Sequence, residues 1–414
     1  MWTDLNITID EAFLAPAFRI LHDYVRRRDR QDGGLSDEHF LRLGVTRALE
    51  GEESGRAFLQ ALADRPEEDL AVARSTWFDA LKSERRLKVL QEVATQSYRH
   101  FERELAGRDW LESFPELAIH PVWAVDGHQI EHACHAPRDH QGEHLASGQT
   151  YGLCLHSGLL RPLARFQGDG LRRHEWPVFK ENWRTWLEGE PRRGMPIVVA
   201  DPAYIDCQYW IMEKIRRQAM IITREKENMK PTLYSAEYFD PNDPVNQGVL
   251  ADELAGYSTA ALRRIRYRDP LTGEEFIFVT TCTHLRPDLI ALLYFLRCKI
   301  EKVCDVFKNK LRAKKAWAVG HTASQMQSHF LALLHNLLTV LLGRLEELGL
   351  REDKVASKNS QRLQHKPSPP AHLLVRHSFA LTCQFIRLVR HCFRNKTRWL
   401  HALPLFRLRL HAYL

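Results

Sequence analysis

Apolar residues recur at helical spacing through the first quarter of the chain, then switch to strand spacing. Ser36-Asp37-Glu38-His39 is a capped helix start, followed by Phe40, Leu41, Leu43, Val45 and Leu49 until Gly51 breaks the run. Ser54 can cap a second short helix carrying Phe58, Leu59 and Leu62. Two short helices around a glycine-containing turn are either a DNA-reading helix-turn-helix or an ordinary helical hairpin, and the pattern allows both. A long amphipathic helix is predicted from Ser75 to Leu105, with Trp77, Phe78, Leu81, Leu87, Leu90, Val93 and Phe101 on its apolar face; Pro115 closes the section. From His120 the period becomes that of strands. Val122-Trp-Ala-Val-Asp126-Gly127 reads as a short apolar strand ending on a carboxylate, followed by strands through Tyr151–Leu155 and Leu160–Phe166. A helix near Pro177–Leu187 precedes Met195-Pro-Ile-Val-Val-Ala-Asp201, an apolar run that fits a strand buried on both faces and also ends on an aspartate. Then come a helix through Tyr209–Arg217 and a strand at Ala219–Thr223.

The pattern predicts an α/β protein with a mixed sheet flanked by helices. Residues 1–112 form a helical N-terminal region with a possible role in binding DNA ends. Residues 118–223 and 288–347 form the central domain, and 224–287 a β-rich insertion. In that insertion Arg263–Tyr267 and Glu275–Thr280 flank an Asp269–Gly273 turn. Residues 354–370 read as a polar linker ending in Ser368-Pro369-Pro370, and 371–414 as a basic helical region, its helix running from about Leu373 to Arg394.

Charge sharpens this picture. The chain of 414 residues has a net charge of +7, yet residues 351–414 hold 13 Lys/Arg against 2 Asp/Glu, which leaves the other 350 residues at −4. A basic tail on a near-neutral body suits a polyanion, because Lys and Arg release counterions from phosphates. No stretch approaches the roughly 18 consecutive apolar residues that span a membrane, and the N-terminus lacks the pattern of a signal peptide. Eight scattered cysteines with no CxxC pair argue against a disulfide framework and for a reduced, cytoplasmic setting.

The chemistry rests on carboxylates. Asp126 and Asp201 at strand ends can share a pair of Mg²⁺ ions about 3.5–4 Å apart, one activating a nucleophile and the other stabilising a leaving oxygen. Strand-end aspartates also serve as caps and turns, so these two alone are a weak signal. Tyr294-x2-Arg297-x3-Glu301-x6-Lys308 is sharper. On a regular helix the four residues share one stripe of about 60°, which suits a helix that brings one metal ligand to a site and grips phosphates beside it. The plain alternative is an amphipathic helix with an Arg297–Glu301 ion pair. His128, His132, His135, His140 and His144, with Cys134 and Glu131, crowd the region after Asp126 without zinc-finger spacing; His128 or His132 is the better placed to meet metal-bound phosphates.

The Tyr-Arg-Glu-Lys signature resembles that of the DDE transposases of the insertion-sequence-four type. Val125-Asp126-Gly127, Val199-Ala200-Asp201-Pro-Ala-Tyr204 and Ile265–Gly273 followed by Phe278–Thr281 are similar to neighbouring words of that family, over residues 118 to 345. The resemblance implies a ribonuclease-H-like sheet with a β-strand insertion before the last catalytic helix, and Mg²⁺ or Mn²⁺ held by Asp126, Asp201 and Glu301. It implies that Tyr294, Arg297 and Lys308 contact the transposon-end backbone. The implied partners are double-stranded DNA, both terminal inverted repeats and target, and a second copy of the chain in a synaptic homodimer. The implied activity is end cleavage followed by strand transfer. Cys298 and Pro202 depart from the family's usual tryptophan and polar residue, so a base-stacking aromatic beside the signature arginine is not implied. A nuclease without strand transfer, a catalytically silent DNA-binding descendant and a helical interaction module are the competing classes. In the basic tail, an apolar stripe edged by Arg376, Arg387, Arg390 and Arg394 is expected to reach a partner subunit, the alternative being packing on its own chain.

Overall fold

Capping residues set the first helices of the computed structural model, which describes residues 6–26, 35–52, 54–64, 71–106, 109–131, 138, 146–168, 175–187, 190–236, 239–257, 260–349 and 383–411. The linker, the first part of the predicted C-terminal helix (373–382, with Arg376), and His132, Cys134, His135, His140 and His144 lie outside these residues. After α1 (Ile9–Arg26), α2 (Asp37–Glu50) begins where Ser36 Oγ accepts the His39 N–H at 3.1 Å. It stops at Gly51, whose φ of 70° brings its N–H to the Arg47 carbonyl, a left-handed turn that a side chain would strain. Ser54 caps α3 (Gly55–Ala63). The long helix predicted from Ser75 to Leu105 is two helices, α4 (Arg74–Leu81) and α5 (Glu84–Leu105). The Ser83 side chain accepts the Arg86 N–H and restarts the helix there. Short α6 (Pro115–Ala118) leads into the sheet.

Nine strands form that sheet among the described residues: β1 (Val122–Gln129), β2 (Ala146–Cys154), β3 (Leu160–Gly168), β4 (Ile197–Val199), β5 (Met220–Arg224), β6 (Thr232–Ala236), β7 (Val249–Tyr257), β8 (Ala260–Arg268) and β9 (Glu275–Thr280). Their order is β3-β2-β1-β4-β5-β9-β8-β7-β6. β1, β4 and β5 are parallel neighbours, and every other pairing is antiparallel. The chain is therefore mixed α/β, and the strands of the 224–287 segment continue the sheet through the β5–β9 ladder. β1 does not end at Gly127 as the local pattern predicts. Pairing of His128 with Gln149 and Gln129 with Gly148 carries it two residues further. The ladder between strands, which local alternation does not encode, sets that end.

The helices α7 (Glu175–Asn182) and α8 (Cys207–Ile215) follow β3 and β4, and α9 (Pro287–Leu296), α10 (Cys298–Asp305) and α11 (His321–Glu347) follow the sheet. α11 is buried over most of its surface, polar Gln327, His335 and Asn336 included, because it runs through the core, touching α2, α5 and β3. It is the one described helix long and apolar enough to cross a membrane, and 83% of its apolar window is buried within the chain. Asn336 fixes α11 to β3 by bonding both backbone groups of Leu160, at 2.7 and 2.9 Å. Leu334 and Leu338 on α11 are wholly buried, and truncating either to Ala would cost about 2–5 kcal/mol.

One hydrophobic core joins the N-terminal helices, the sheet, α11 and the two C-terminal helices, α12 (Cys383–Arg394) and α13 (Trp399–His411). The apolar stripe of α12, with Phe385, Ile386, Leu388, Val389 and Phe393, is buried inside the chain. Arg390 Nε donates to the Leu49 carbonyl at 2.8 Å, Arg394 pairs with Glu50, and Trp399 N–H bonds Ile7 O at 2.8 Å. This part of the tail packs on its own N-terminal helices rather than presenting its stripe to a partner. Glu50 supplies the anion that draws Arg394 inward.

Candidate active site

The parallel register places the two aspartates side by side. Ala124 pairs with Val199, and Val199 with Ile222, so Asp126, Asp201 and Arg224 each lie two residues past a shared row on neighbouring strands. Neighbouring strands run about 4.8 Å apart. β4 stops at Val199 while β1 continues, which opens a notch between them at the carboxyl edge, where open α/β sheets bind ligands. Asp201 caps the 3₁₀ turn Pro202–Tyr204, its Oδ1 accepting the Ala203 N–H at 2.7 Å. α10, which carries Glu301, packs on β1.

The electrostatics bind these residues into one cluster. Burial pushes the Asp126 carboxyl up to about 6; the Gly127 N–H and Arg297 hold it down, and the charges of Asp201 and Glu301 raise it further. Arg297 Nη2 reaches Glu301 at 2.5 Å, the ion pair that helical spacing allows, and the Glu301 side chain is half exposed. Tyr294 is deeply buried at 7% exposure. Its ring lies 5.0 Å from that of Phe278, the Arg297 guanidinium stands 5.5 Å over it, and burial raises its hydroxyl.

The signature segment is not one regular helix. It breaks between α9 and α10 at Arg297, and Lys308 sits in a π-helical turn, Val306–Lys310. Such turns re-aim side chains and are frequent at functional sites. Lys308 acts on two neighbouring groups instead, lowering both Glu175 and the buried Cys304 thiol, which lies against Asp126. Tyr294, Arg297, Glu301 and Lys308 thus border one acidic notch, though the single ideal stripe predicted for them does not exist.

Sequence reasoning missed three groups here. Glu175, at the start of α7, accepts a hydrogen bond from Tyr204 Oη at 2.7 Å. Burial first, and then the charges of Asp126 and Asp201, push it up to about 7. Cys304 lies against Asp126, and its thiol is raised by burial and then by that carboxylate. Arg224 stands over the Phe276 ring at 5.4 Å and lowers Tyr294. The strand predicted at Ala219–Thr223 stops one residue short of Arg224, and the apolar run before Asp201 hinted at the neighbouring strand it would join.

Among the described residues no three His, Cys, Asp or Glu side chains stand close enough, as placed, to hold a metal ion. The donor set still suits a hard divalent cation. Its oxygens are carboxylates, Asp126 and Asp201 have no ion-pair partner among the described residues, and burial, with the charges of Asp201 and Glu301 added, raises Asp126. Glu301 would have to turn from Arg297 to join them. His128, expected near bound phosphates, is instead a core residue. It is fully buried, with Nε2 3.3 Å from Ala313 O and its ring edge-on to Phe307, and burial lowers it to about 4. The seven cysteines among the described residues are free thiols. A scan against protein-family models and a search of curated proteins both return no match to this chain.

Proposed function

We propose that this chain is a metal-dependent DNA-cutting and joining enzyme of the DDE transposase type, with Asp126, Asp201 and Glu301 as its cation ligands. The observation that carries the reading is the register: Asp126 and Asp201 stand at matching positions on adjacent parallel strands, with the helix of Glu301 packed on the same strand. The order β3-β2-β1-β4-β5, with β1, β4 and β5 parallel, is what a ribonuclease-H-like sheet requires. Strands β6 to β9 fall between β5 and the helix of Glu301, where the resemblance calls for an insertion.

Bound Mg²⁺ or Mn²⁺ would lower the pKa of an attacking water or hydroxyl and neutralise charge on the scissile phosphate. The remaining work falls to the chain. Asp126 and Asp201 hold charge at the notch, the capped turn at Pro202 fixes the direction of Asp201, and Arg297 keeps Glu301 at the rim. Arg297 and Lys308 offer cations to the DNA backbone on either side of the acids, and charge-assisted contacts of that kind position DNA without reading its sequence. The basic C-terminal region adds affinity for the polyanion. The working unit is a dimer that pairs two DNA ends.

The test incubates the full chain with Mg²⁺ and DNA carrying the sequence that flanks its own gene, followed by a supercoiled target plasmid. Cutting at short inverted repeats and joining to the plasmid, both abolished by Asp126→Asn, is the expected result. Cutting without joining would indicate a nuclease. Specific binding without cutting would indicate a silent descendant, and neither outcome would leave the proposal standing.

A further inference from the structure

The π turn that carries Lys308 is held from outside. Its geometry is rare, and the chain leaves it through Arg312, whose φ of 50° is a left-handed conformation that a side chain strains. Backbone of this kind persists only where its surroundings hold it. Some of the ties are local: Leu311 N–H closes on Val306 O at 2.9 Å, Ala313 N–H reaches Phe307 O at 2.8 Å, and the Phe307 ring packs edge-on to Tyr151 and His128. Another comes from the tail. Arg390, on α12, donates from Nη2 to the Lys310 carbonyl at 3.3 Å and from Nε to the Leu49 carbonyl at 2.8 Å. One planar guanidinium thus joins the end of the π turn to the last turn of α2, at carbonyls of the kind that helix ends leave without partners. Gly51 lets the two ends meet, since a methyl group there would stand 2.9 Å from Leu311 O and 3.4 Å from Arg390 Nη2. Among the described residues Arg390 has no carboxylate partner, whereas Arg394, one turn later, already fixes the tail to α2 through Glu50. Lys308 is half-buried in the same turn, and its charge lowers Glu175 and the Cys304 thiol beside Asp126.

We propose, on the reading of Lys308 as a contact to the DNA backbone, that Arg390 of the C-terminal helix is a positioning residue for it: the guanidinium clamps the π turn against the end of α2 and so aims Lys308 at a phosphate beside the acids. Two other roles compete. Arg390 could be a clasp that stabilises the tail and nothing more, or it could meet a phosphate itself. Lysine at this position keeps the charge but cannot bridge two carbonyls from one planar group, so it separates the clamp from the phosphate contact.

The test measures binding of the full chain to duplex DNA carrying the sequence that flanks its gene, over a range of salt concentrations. Arg390→Gln and Lys308→Ala should each lower the salt slope by about one unit, and the double variant should lose no more than either alone, because both act through one contact. Arg390→Lys should keep most of the loss. A second readout needs no DNA: after reductive methylation of the lysines with a ¹³C label, the Lys308 resonance, identified by its absence in Lys308→Arg, should move in Arg390→Gln and in Arg390→Lys. A lowered melting temperature in Arg390→Gln with the slope and the Lys308 resonance of wild type makes Arg390 a clasp and overturns the proposal. A loss of about two units in the double variant, or a wild-type slope in Arg390→Lys, makes it a direct phosphate contact and overturns it too. If Arg390→Gln fails to fold, the slope and resonance of Arg390→Lys decide alone. A wild-type slope in Lys308→Ala means that the reading of Lys308 itself fails; loss in Lys308→Ala with none in Arg390→Gln defeats only the clamp.

Discussion

The two ends of β1 each carry a cluster of acids, and the clusters are built on different principles. At the amino end Glu102, Asp109, Glu112 and Glu190 surround one guanidinium. Arg192 lies 3.0 Å from Glu112, 3.4 Å from Asp109, 3.5 Å from Glu190 and 4.0 Å from Glu102. His156 bridges Asp109 and the His120 carbonyl, tying the cluster to the start of the strand. At the carboxyl end Asp126, Asp201, Glu301 and Glu175 surround no such centre: Arg297 pairs with Glu301 and acts on Asp126 without forming an ion pair with it, and the two aspartates have no ion-pair partner among the described residues. Both clusters hold a glutamate pushed up to about 7, Glu102 at one end and Glu175 at the other. A raised carboxyl therefore does not mark function by itself. The mark is a set of acids at the carboxyl edge of parallel strands that lacks an internal cation.

The largest expected effect is catalytic. Asp126→Ala, Asp201→Ala or Glu301→Ala should each reduce Mg²⁺-dependent DNA cleavage by about 10³-fold or more, read on end-containing DNA, with binding to that DNA largely retained. Full cleavage by any one variant would remove that residue from the site. At the other end of β1, Arg192→Ala leaves buried carboxylates facing one another. It should cost about 3–5 kcal/mol in a denaturant melt, with no rescue by Mg²⁺. A mild effect there would erase the contrast between the clusters.

The pH dependence of stability sharpens the same contrast. Asp126, Glu102 and Glu175 all have folded pKa values raised by burial above those of the unfolded chain, to about 6, about 7 and about 7. The folded state binds their protons more tightly, so their contribution is fully present below about pH 4 and is lost as pH rises through 6 to 7. Melts without metal should show that loss. Mg²⁺ should restore the part due to Asp126 but not the part due to Glu102, and Asp126→Asn should flatten the curve without touching the Glu102 portion. The smallest effects concern phosphate contacts. Arg297→Ala or Lys308→Ala should lower the salt slope of DNA binding by about one unit each. Tyr294→Phe should change binding less than Tyr294→Ala, because the ring is packed on Phe278.

What could be read from the sequence follows from the range of each interaction. Ser36, Gly51 and Ser54 act within one turn of their helices, and the limits of α2 and α3 agree with them. The Asp269–Gly273 turn and β9 likewise follow from local residues. Ser83 is equally local and was masked by apolar residues that keep helical phase across it. The true end of β1, the break at Arg297 and the π turn at Lys308 depend on tertiary partners, which no periodicity records. Of the cluster, Asp126, Asp201 and Glu301 were legible because they end apolar runs or sit in a spaced signature. Glu175 was not, because an acid in the first turn of a helix usually serves the helix dipole, and its meeting with Gly127 and Tyr204 exists only in the folded chain.

The central claim, that the carboxyl-edge acids await a cation while the amino-edge acids already contain one, is tested most directly by the melting temperature of the full chain with and without saturating Mg²⁺. A ligand present at a hundred times its dissociation constant stabilises the folded state by about 2.7 kcal/mol. The account predicts a clear upward shift in wild type, none in Asp126→Asn, and a shift of wild-type size in Arg192→Lys, whose folded state keeps a cation at the amino-edge cluster. A wild-type melting temperature indifferent to Mg²⁺, or an equal rise in Asp126→Asn, would contradict it.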